Sequence, residues 1–320
     1  MSAPPFITAE ALDGALCWRD FVDALDAGHG MAKADIDDVV LKRDTCSLLN
    51  RAAWVPGMGI GLKTVTVFPD NPRQDPPRPT VQGVFVLFDA DTGAPAATIE
   101  GPLITKWKTA ADSVLGARYL ARPEPETLLI VGSGTVADSL VEAYRDVFPS
   151  LRRIGVWSRS TANAEALAAA KTRDSGPQVA ATADLPAAVG AADIVATATV
   201  SATPVLHGDW LRPGTHVDLI GAYRADMREA DDTLLKRGRL FVDSRETTLH
   251  HIGELKIPLE TGTIADSDIL GDFYDLKAGR AGRRNPEDIT VFKNGGGAHL
   301  DVMAATVLTR AYQTRFGTDA

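Results

Sequence analysis

The sequence predicts an α/β protein in which a doubly wound parallel sheet is preceded by an α+β unit. Beyond residue 122, short apolar runs such as Thr127–Val131, Ile194–Ala198 and His216–Ile220 alternate with helical segments. That alternation is typical of parallel strands joined by crossover helices. Before residue 122, one helical segment leads into strand patterns between Trp54 and Thr98. This change of pattern indicates a separate unit of α+β type.

The first unit is predicted to begin with a helix and to continue with strands. Thr8 has the character of a helix N-cap, the apolar residues after it recur at helical spacing, and Gly28–Gly30 ends the pattern. The proline-rich segment 69–79 cannot supply a continuous set of backbone donors, so it is a loop. The strands predicted around this loop lie at 62–68, 81–88 and 96–99. The remaining elements are a helix at 105–119 and a linker at 122–125.

The second unit opens with a strand, a tight turn and a helix. The apolar run Thr127–Val131 meets the pattern Gly132-x-Gly134-x-x-Ala137, after which helical spacing continues. The first glycine permits the turn, the second lets phosphates approach the backbone, and the helix N-terminus directs N–H groups at them. This pattern predicts a Rossmann-type dinucleotide site, with an ordinary strand-to-helix turn as the alternative. The other loop residues assigned to the cofactor are Ser133, Thr135 and Val136.

The end of the next strand indicates which nucleotide is bound. That strand, Arg153–Trp157, ends at Ser158-Arg159-Ser160, where NAD-binding proteins usually carry an acidic residue for the ribose hydroxyls. A guanidinium flanked by hydroxyl groups suits a 2′-phosphate instead. We therefore expect NADPH, with NADH as the alternative cofactor and a solvated surface arginine as the alternative interpretation. Loops after later strands reach the same edge of the sheet, which adds Thr197, Thr199 and Gly221.

Charge and cysteine content exclude several classes of protein. The net charge of −9 argues against nucleic acid or an anionic membrane as a partner, because those ligands require a basic face. The two cysteines, Cys17 and Cys46, are too few for a disulfide framework or a cysteine-based zinc site. The histidines lack metal-ligand spacing, so no metal is predicted. No signal-peptide pattern is present, and no apolar run approaches the roughly 18 residues of a membrane span. We therefore expect a cytoplasmic protein.

Several segments resemble the ornithine cyclodeaminase/mu-crystallin family. They are residues 61–69, 79–83, 87–93, 109–111, 117–122 and the loop at Gly132. The resemblance extends over nearly the whole chain. It implies a homodimer in which residues 1–122, completed by the C-terminal helix at 298–320, form the substrate-binding and dimerisation domain. It also implies that residues 123–297 form a Rossmann domain for NAD(H) or NADP(H).

Members of this family reduce ketimines or cyclic imines, deaminate alanine, or cyclise ornithine with loss of ammonia. Segments 198–210 and 221–229 resemble the reductases. Deaminating members usually carry an aspartate where this chain has Tyr223, a candidate for orienting an imine or passing it a proton. Asp226 is the nearby carboxylate that could replace the aspartate. The resemblance thus implies reduction of a small carboxylated cyclic imine, such as pyrroline-2-carboxylate or piperideine-2-carboxylate. The alternatives are a cyclodeaminase with catalytic NAD and a non-enzymatic protein that binds small ligands.

A carboxylated imine requires cations in its binding site, and the sequence offers four candidates. Lys63 matches the lysine that the family uses at its active site, and Lys108 stands where the family usually has an arginine. Arg51 resembles a family arginine with altered spacing, and Arg43 is the other N-terminal guanidinium. His299, which follows a glycine run, is a candidate proton relay. The alternatives are solvated surface charges for the cations and a structural role for the histidine.

Overall fold

The computed structural model describes residues 3–317, which form two compact units. The first contains the chain up to Lys108 and again from Gly297 onwards, and the second contains Thr109–Gly296. The first boundary lies inside the helix Gly101–Leu120. The boundary predicted at residue 122 lies just beyond the end of this helix, and the predicted domain division stays a prediction.

The first unit is built on a six-stranded sheet. The strand order is β1-β6-β5-β4-β3-β2, with β1 parallel to β6 and the other neighbouring pairs antiparallel. The elements, in chain order, are β1 (Phe6–Ile7), α1 (Trp18–Gly28), β2 (Asp35–Arg43), β3 (Cys46–Val55), β4 (Gly59–Val67), β5 (Val81–Phe88), β6 (Pro95–Glu100) and α2 (Gly101–Leu120), which continues into the second unit. The three predicted strands correspond to β4, β5 and β6.

The predicted N-terminal helix is split in two. Residues 10–12 form a single 3-10 turn, and α1 starts at Trp18. Gly14, between them, has a φ of 70°, a left-handed conformation that the interior of a helix does not contain. The prediction of one continuous helix from Thr8 was therefore wrong, whereas its predicted end at the glycines is where α1 stops.

Strands β2 and β3 form a long hairpin that the sequence pattern did not predict. They pair in register from Asp35 opposite Trp54 to Arg43 opposite Cys46. The chain reverses at Asp44, whose φ of 53° is left-handed, and no glycine or proline marks the turn. Because β2 is exposed along nearly its whole length, it lacks the one-sided alternation from which strands are recognised.

The second unit is an eight-stranded parallel sheet in the order β13-β12-β14-β11-β10-β7-β8-β9. Its elements are β7 (Thr127–Val131), α3 (Thr135–Val147), β8 (Arg153–Trp157), α4 (Thr161–Lys171), β9 (Gln178–Ala181), α5 (Leu185–Ala191), β10 (Ile194–Thr197), β11 (His216–Leu219), α6 (Asp232–Arg237), β12 (Arg239–Val242), α7 (Arg245–Thr248), α8 (Gly253–Glu260), β13 (Ile269–Gly271), α9 (Phe273–Lys277) and β14 (Thr290–Lys293). The chain winds outward from β7 in one direction and from β10 in the other. This arrangement confirms the predicted fold class, α/β with a doubly wound parallel sheet.

The centre of this sheet is rich in buried apolar side chains. Ile130, Val195 and Val217 on three adjacent strands are completely buried, as expected for strands covered by helices on both faces. The winding changes direction between β7 and β10, and ligands of open parallel sheets bind outside the carboxyl ends of the strands at such a point. A ligand site is therefore expected at the loops that follow β7, β8, β10 and β11.

The chain ends in α10 (Ala298–Phe316), a helix of the first unit. It is longer than the predicted helix over 300–310, and it packs on α1, β3 and β4. Its first turns are buried and carry two polar side chains, His299 and Asp301, among apolar residues such as Met303. Buried polar groups of this kind need partners. The N-terminal end of α10 is therefore the part of this helix where a functional site of the first unit is expected.

Candidate active site

Between β7 and α3 the chain makes a turn that depends on glycine. Gly132 has a φ of 140°, and a Cβ atom there would lie 2.5 Å from the carbonyl oxygen of Ala198, so a larger residue does not fit. Gly134 is the N-cap of α3, and a Cβ atom there would meet no protein atom within 4 Å. Protein packing does not require this second glycine, whereas a ligand lying against the backbone does. The N-terminus of α3 adds N–H groups for an anion.

A cavity of about 480 Å³ adjoins this turn. The hydroxyl of Ser133 donates to that of Ser158 at 3.0 Å, and Ser160 caps α4 by accepting the N–H of Asn163. These contacts hold the three serine hydroxyl groups beside the Gly132 turn. Of the residues assigned to the cofactor from the sequence, the cavity is lined by Gly132, Ser133, Gly134, Ser158, Arg159, Ser160 and Thr199. Two others lie on α3, where Thr135 lines an adjoining cavity and Val136 is partly exposed.

The charge of this cavity lining is positive. Arg159 is its one cation among residues 3–317, and no carboxylate in that range lines it. Arg159 is exposed, and it has no hydrogen-bond or ion-pair partner within the same part of the chain. A guanidinium in that state, next to the hydroxyls of Ser158 and Ser160, can donate to the oxygens of an anionic group such as a 2′-phosphate.

Thr197 and Gly221 lie behind the cavity lining. Thr197 is fully buried, and its hydroxyl donates to the buried carboxylate of Glu229. The N–H of Gly221 and the N–H of Thr199 donate to the same carboxylate. The structure therefore gives these residues a partner within the protein, and direct contact of Thr197 and Gly221 with a cofactor stays a prediction.

Cations of the first unit gather at the start of α10. Lys63 on β4 and Lys108 on α2 are 8% and 6% exposed. The Nζ atom of Lys63 lies 3.1 Å from Oδ1 of Asp301. Arg51 on β3 stands directly opposite Lys63 in the antiparallel ladder, which places both side chains on the same face of the sheet. The ammonium of Lys108 has no hydrogen-bond or ion-pair partner among residues 3–317. These residues form what we call the cation cluster: Arg51, Lys63 and Lys108, with Asp301 as the buried counter-ion of Lys63.

Burial and neighbouring charges change the acidity of the Lys63 ammonium. Burial lowers its pKa, because a low-dielectric surrounding disfavours the charged form. The carboxylate of Asp301 opposes this shift, and the positive charges of Lys108 and Arg51 add to it. Lys63 thus gives up its proton more easily than an exposed lysine does.

His299 lies beside this cluster as a neutral imidazole. Burial lowers its pKa well below the ordinary value, and the neighbouring His29 and Lys108 lower it further. The His299 ring meets that of His29 edge-on, with a centroid distance of 5.5 Å. Neither ring nitrogen of His299 has a hydrogen-bond partner among residues 3–317. The neutral ring resists protonation in these surroundings, and a proton relay through His299 stays a prediction.

The two N-terminal guanidinium groups occupy different places. Arg51 pairs with Asp38 of β2, its Nε lying 2.9 Å from the carboxylate oxygen Oδ2. Arg43 is exposed at the end of β2, opposite Cys46. Cys46 and Arg51 are five residues apart on β3, a separation of about 17 Å at the usual rise of a strand. The structure thus brings Arg51 to the cation cluster of its own chain and leaves Arg43 outside it.

Tyr223 belongs to the second unit, on the loop after β11. Its side chain is 63% exposed, and its hydroxyl accepts a hydrogen bond from Arg224 at 3.4 Å. The neighbouring carboxylate of Asp226 is bound by the same arginine at 2.9 Å, a hydrogen bond that lowers the pKa of Asp226. A carboxylate held in its ionised form by arginine is a weaker base for activating water. The structure therefore does not offer Asp226 as a ready replacement for a deaminase aspartate.

Two kinds of feature are absent from the part of the chain that the structure describes. Within residues 3–317, no group of three or more His, Cys, Asp or Glu side chains is arranged to hold a metal ion. No helix in the same range combines the length and the apolar composition that crossing a bilayer requires.

Sequence reasoning missed the buried acids that organise both units. Asp301 is the partner of Lys63, and its position two residues after His299 on α10 was the available signal. Glu229 and Glu254 were not singled out at all, although both are fully buried. Acidic residues are common on protein surfaces, and a single sequence does not distinguish a buried acid from an exposed one.

Two solved structures and one sequence relative show what this chain is similar to. It is 54% identical over 310 residues to Delta(1)-pyrroline-2-carboxylate reductase of Paracoccus denitrificans, with 97% of each chain covered. Its fold is similar to that of Thermococcus litoralis Delta(1)-pyrroline-2-carboxylate reductase in complex with NADH and L-proline, with a TM-score of 0.88, 26% identity, and 98% and 99% of the two chains covered. It is equally similar to an archaeal alanine dehydrogenase dimer with bound NAD, with a TM-score of 0.88, 27% identity, and 99% and 98% coverage.

The sequence also matches a family profile over most of its length. The profile is that of the Ornithine cyclodeaminase/mu-crystallin family, and it matches residues 55–314. The matched range runs from the end of β3 to near the end of α10, so it includes both the phosphate loop and the cation cluster residues Lys63, Lys108 and Asp301. By this match and by the 54% identity to a relative along 97% of the chain, the protein belongs to the ornithine cyclodeaminase/mu-crystallin family.

Proposed function

We propose that this protein reduces a small cyclic imino acid, of the pyrroline-2-carboxylate or piperideine-2-carboxylate type, to the cyclic amino acid. The reductant is NADPH, with NADH as the alternative. The observation that carries the proposal is the 54% identity, along 97% of both chains, to a protein named for this reaction. The solved reductase that holds NADH and L-proline supports both the cofactor class and the product class.

The residues of each unit have a task in this reaction. Reduction of a C=N bond adds a hydride to carbon and a proton to nitrogen, and the reduced nicotinamide supplies the hydride when it is bound. In the first unit, the cation cluster holds the substrate carboxylate, and the partnerless ammonium of Lys108 is the first candidate to receive it. In the second unit, Gly134 and the N-terminus of α3 receive the pyrophosphate. Arg159 receives the 2′-phosphate of NADPH.

A cyclodeaminase is the second candidate function, and the site argues against it. Ornithine cyclisation with loss of ammonia requires a base at the reacting centre. The position that holds an aspartate in deaminating relatives holds Tyr223, whose phenol is a hydrogen-bond donor and lacks the carboxylate that activates water. Asp226 is engaged by Arg224. The similarity to an alanine dehydrogenase structure keeps deamination as the outcome to be tested.

The function is tested by supplying both kinds of substrate to the purified protein. We expect pyrroline-2-carboxylate or piperideine-2-carboxylate to cause oxidation of NADPH, followed by nicotinamide absorbance, with one cyclic amino acid formed for each NADPH consumed. Ornithine with catalytic NAD+ should yield neither proline nor ammonia. Steady release of ammonia from ornithine would refute the reductase assignment and support the cyclodeaminase.

Replacement of a single buried cation separates substrate binding from cofactor binding in this test. Lys63→Met should lower kcat/KM for the imine by about ten- to a hundredfold, because a hydrogen bond to a charged group contributes about 1.5–3 kcal/mol. Its Kd for NADPH should stay at the wild-type value, because the cofactor residues belong to the other unit. Lys277→Met, which removes an exposed lysine of α9, is the matched control and should leave both quantities unchanged.

The ion pair between Lys63 and Asp301 predicts a change in pH dependence. Asp301→Asn removes the carboxylate that raises the pKa of Lys63, so burial and the neighbouring cations lower that pKa further. The alkaline limb of the kcat/KM profile should therefore move to lower pH in the variant. Because the substrate titrates identically with both proteins, the difference between the two profiles reports the lysine. An alkaline limb at the wild-type position, or at higher pH, would contradict the role of this pair.

Cofactor preference depends on Arg159 in this proposal. Arg159→Ala should weaken NADPH binding by about ten- to a hundredfold and leave NADH binding nearly unchanged, because one charge-assisted contact to the 2′-phosphate is lost. The measurement is the ratio of the two Kd values by fluorescence titration. Arg152→Ala, which removes an exposed arginine paired with Glu126, is the control. An unchanged ratio in Arg159→Ala would show that Arg159 does not select the cofactor.

The proposed active protein is a homodimer joined through the first unit. β2 is the edge strand of its sheet, and three adjacent apolar residues on it, Val39, Val40 and Leu41, are 50%, 50% and 59% exposed. A long exposed edge strand with apolar side chains invites pairing with another chain unless something covers it. The similar alanine dehydrogenase is a dimer.

The predicted cytoplasmic location stays a prediction.

A charge placed on this edge strand tests the dimer. Val40→Glu should shift the protein from dimer to monomer in sedimentation velocity, because a carboxylate buried between two chains has no partner. Leu270→Glu, at a position of β13 that is 36% exposed, is the control and should sediment like the wild type. A wild-type protein that sediments as a monomer, or a Val40→Glu variant that stays dimeric, would remove β2 as the interface.

A further inference from the structure

Glu229 is a buried carboxylate that joins two loops at the carboxyl end of the parallel sheet. Its Oε2 atom accepts hydrogen bonds from the hydroxyl of Thr197 at 2.7 Å and from the N–H of Gly221 at 2.6 Å. Its Oε1 atom accepts the N–H and the hydroxyl of Thr199 at 2.7 and 2.8 Å. Thr197 ends β10 and Thr199 follows it, whereas Gly221 follows β11. One side chain therefore holds two neighbouring loops together.

The backbone of Glu229 is itself fixed on both sides. Its N–H donates to Oε2 of Glu254 at 2.7 Å. Its carbonyl oxygen accepts the N–H groups of Val205 and Leu206, each at 2.9 Å. Glu229 is completely buried. With backbone and side chain both held, the carboxylate cannot follow the loops if they move, so the loops take their position from the carboxylate.

The loops that Glu229 holds lie directly against the phosphate turn. A Cβ atom at Gly132 would come within 2.5 Å of the carbonyl oxygen of Ala198, and one at Gly221 would lie 2.0 Å from that of Thr199. Ala198 and Thr199 line the same cavity as Gly132 and Gly134. Both donors of Thr199, its N–H and its hydroxyl, are bound to Glu229. Thr199 therefore shapes the cavity wall and has no uncommitted donor for a ligand.

We propose that Glu229 is the positioning residue that sets the Ala198–Thr199 wall of the dinucleotide cavity without contacting the ligand. The inference rests on the proposed function, since it assigns a task toward the same cofactor. A carboxylate suits this task because all four of its partners are donors, and an ionised carboxylate is an acceptor only. An amide of the same shape would turn an NH2 group toward one pair of donors, where it opposes a backbone N–H that can only donate.

The test measures nucleotide binding by the folded variant Glu229→Gln. We expect its Kd values for NADPH and for NADH to rise by the same factor, about tenfold or more, because a buried backbone N–H loses its acceptor and the wall moves. The equal factor distinguishes Glu229 from Arg159, whose loss changes the ratio of the two values. Glu260→Gln is the matched control, since Glu260 is an exposed glutamate of α8 that pairs with Lys256. It should bind both nucleotides like the wild type.

Three results would overturn the inference. The first is a Glu229→Gln variant with a lowered Tm but wild-type Kd values, which would make Glu229 a purely structural residue. The second is a loss of NADPH binding alone. The third applies if Glu229→Gln does not fold: Thr199→Val should then raise both Kd values while Thr199→Ser restores them, and equal binding by these two variants would contradict the inference. A wild type that binds neither nucleotide would instead refute the proposed function.

Discussion

A buried ammonium group at the end of β14 stabilises the loops at the carboxyl edge of the parallel sheet. Lys293 is 1% exposed and donates to the carbonyl oxygens of Leu219 and Asn294 at 2.9 and 2.7 Å. Four buried carboxylates act on it and oppose the lowering of its pKa by burial: Glu254, Glu229, Asp243 and Asp218. Isolated buried charges of either sign are costly. The loops at this edge therefore depend on the ammonium and the carboxylates being present together.

The carboxylates direct their oxygens at the protein's own backbone and leave the ligand surface free of negative charge. Asp243 accepts the N–H of Gly295 at 2.9 Å, and Glu254 accepts those of Glu229 and Ala230 at 2.7 and 3.0 Å. Burial, together with the charge of Glu229, raises the pKa of Glu254 to about 7. The acids thus fix the loops from behind, and the cavity keeps the N-terminus of α3 and one guanidinium as its positive groups.

The sequence was sufficient for features with a local cause. The Gly132 turn and the parallel strands each depend on neighbours in the chain, so their pattern predicted them, and the place of Arg159 at the end of β8 followed from the same pattern. The β2–β3 hairpin was missed because its exposed strand β2 carries no one-sided alternation and its turn residue is Asp44. The pairings Lys63–Asp301 and Glu229–Thr199 join residues far apart in the chain. Such contacts depend on tertiary packing, which a single sequence does not encode as a local pattern.

The buried charges of the two units are mostly of opposite sign. In the second unit the buried charges are mostly acids, and backbone N–H groups, hydroxyls and Lys293 satisfy them within the protein. In the first unit the buried charges are mostly cations, and Asp301 balances Lys63 while Lys108 has no partner among residues 3–317. A buried cation without a counter-ion in the protein is stabilised when an anionic ligand pairs with it. The proposed carboxylate of the substrate would balance the buried charge of the first unit, and the proposed phosphates of the cofactor would meet a surface from which the acids of the second unit are turned away.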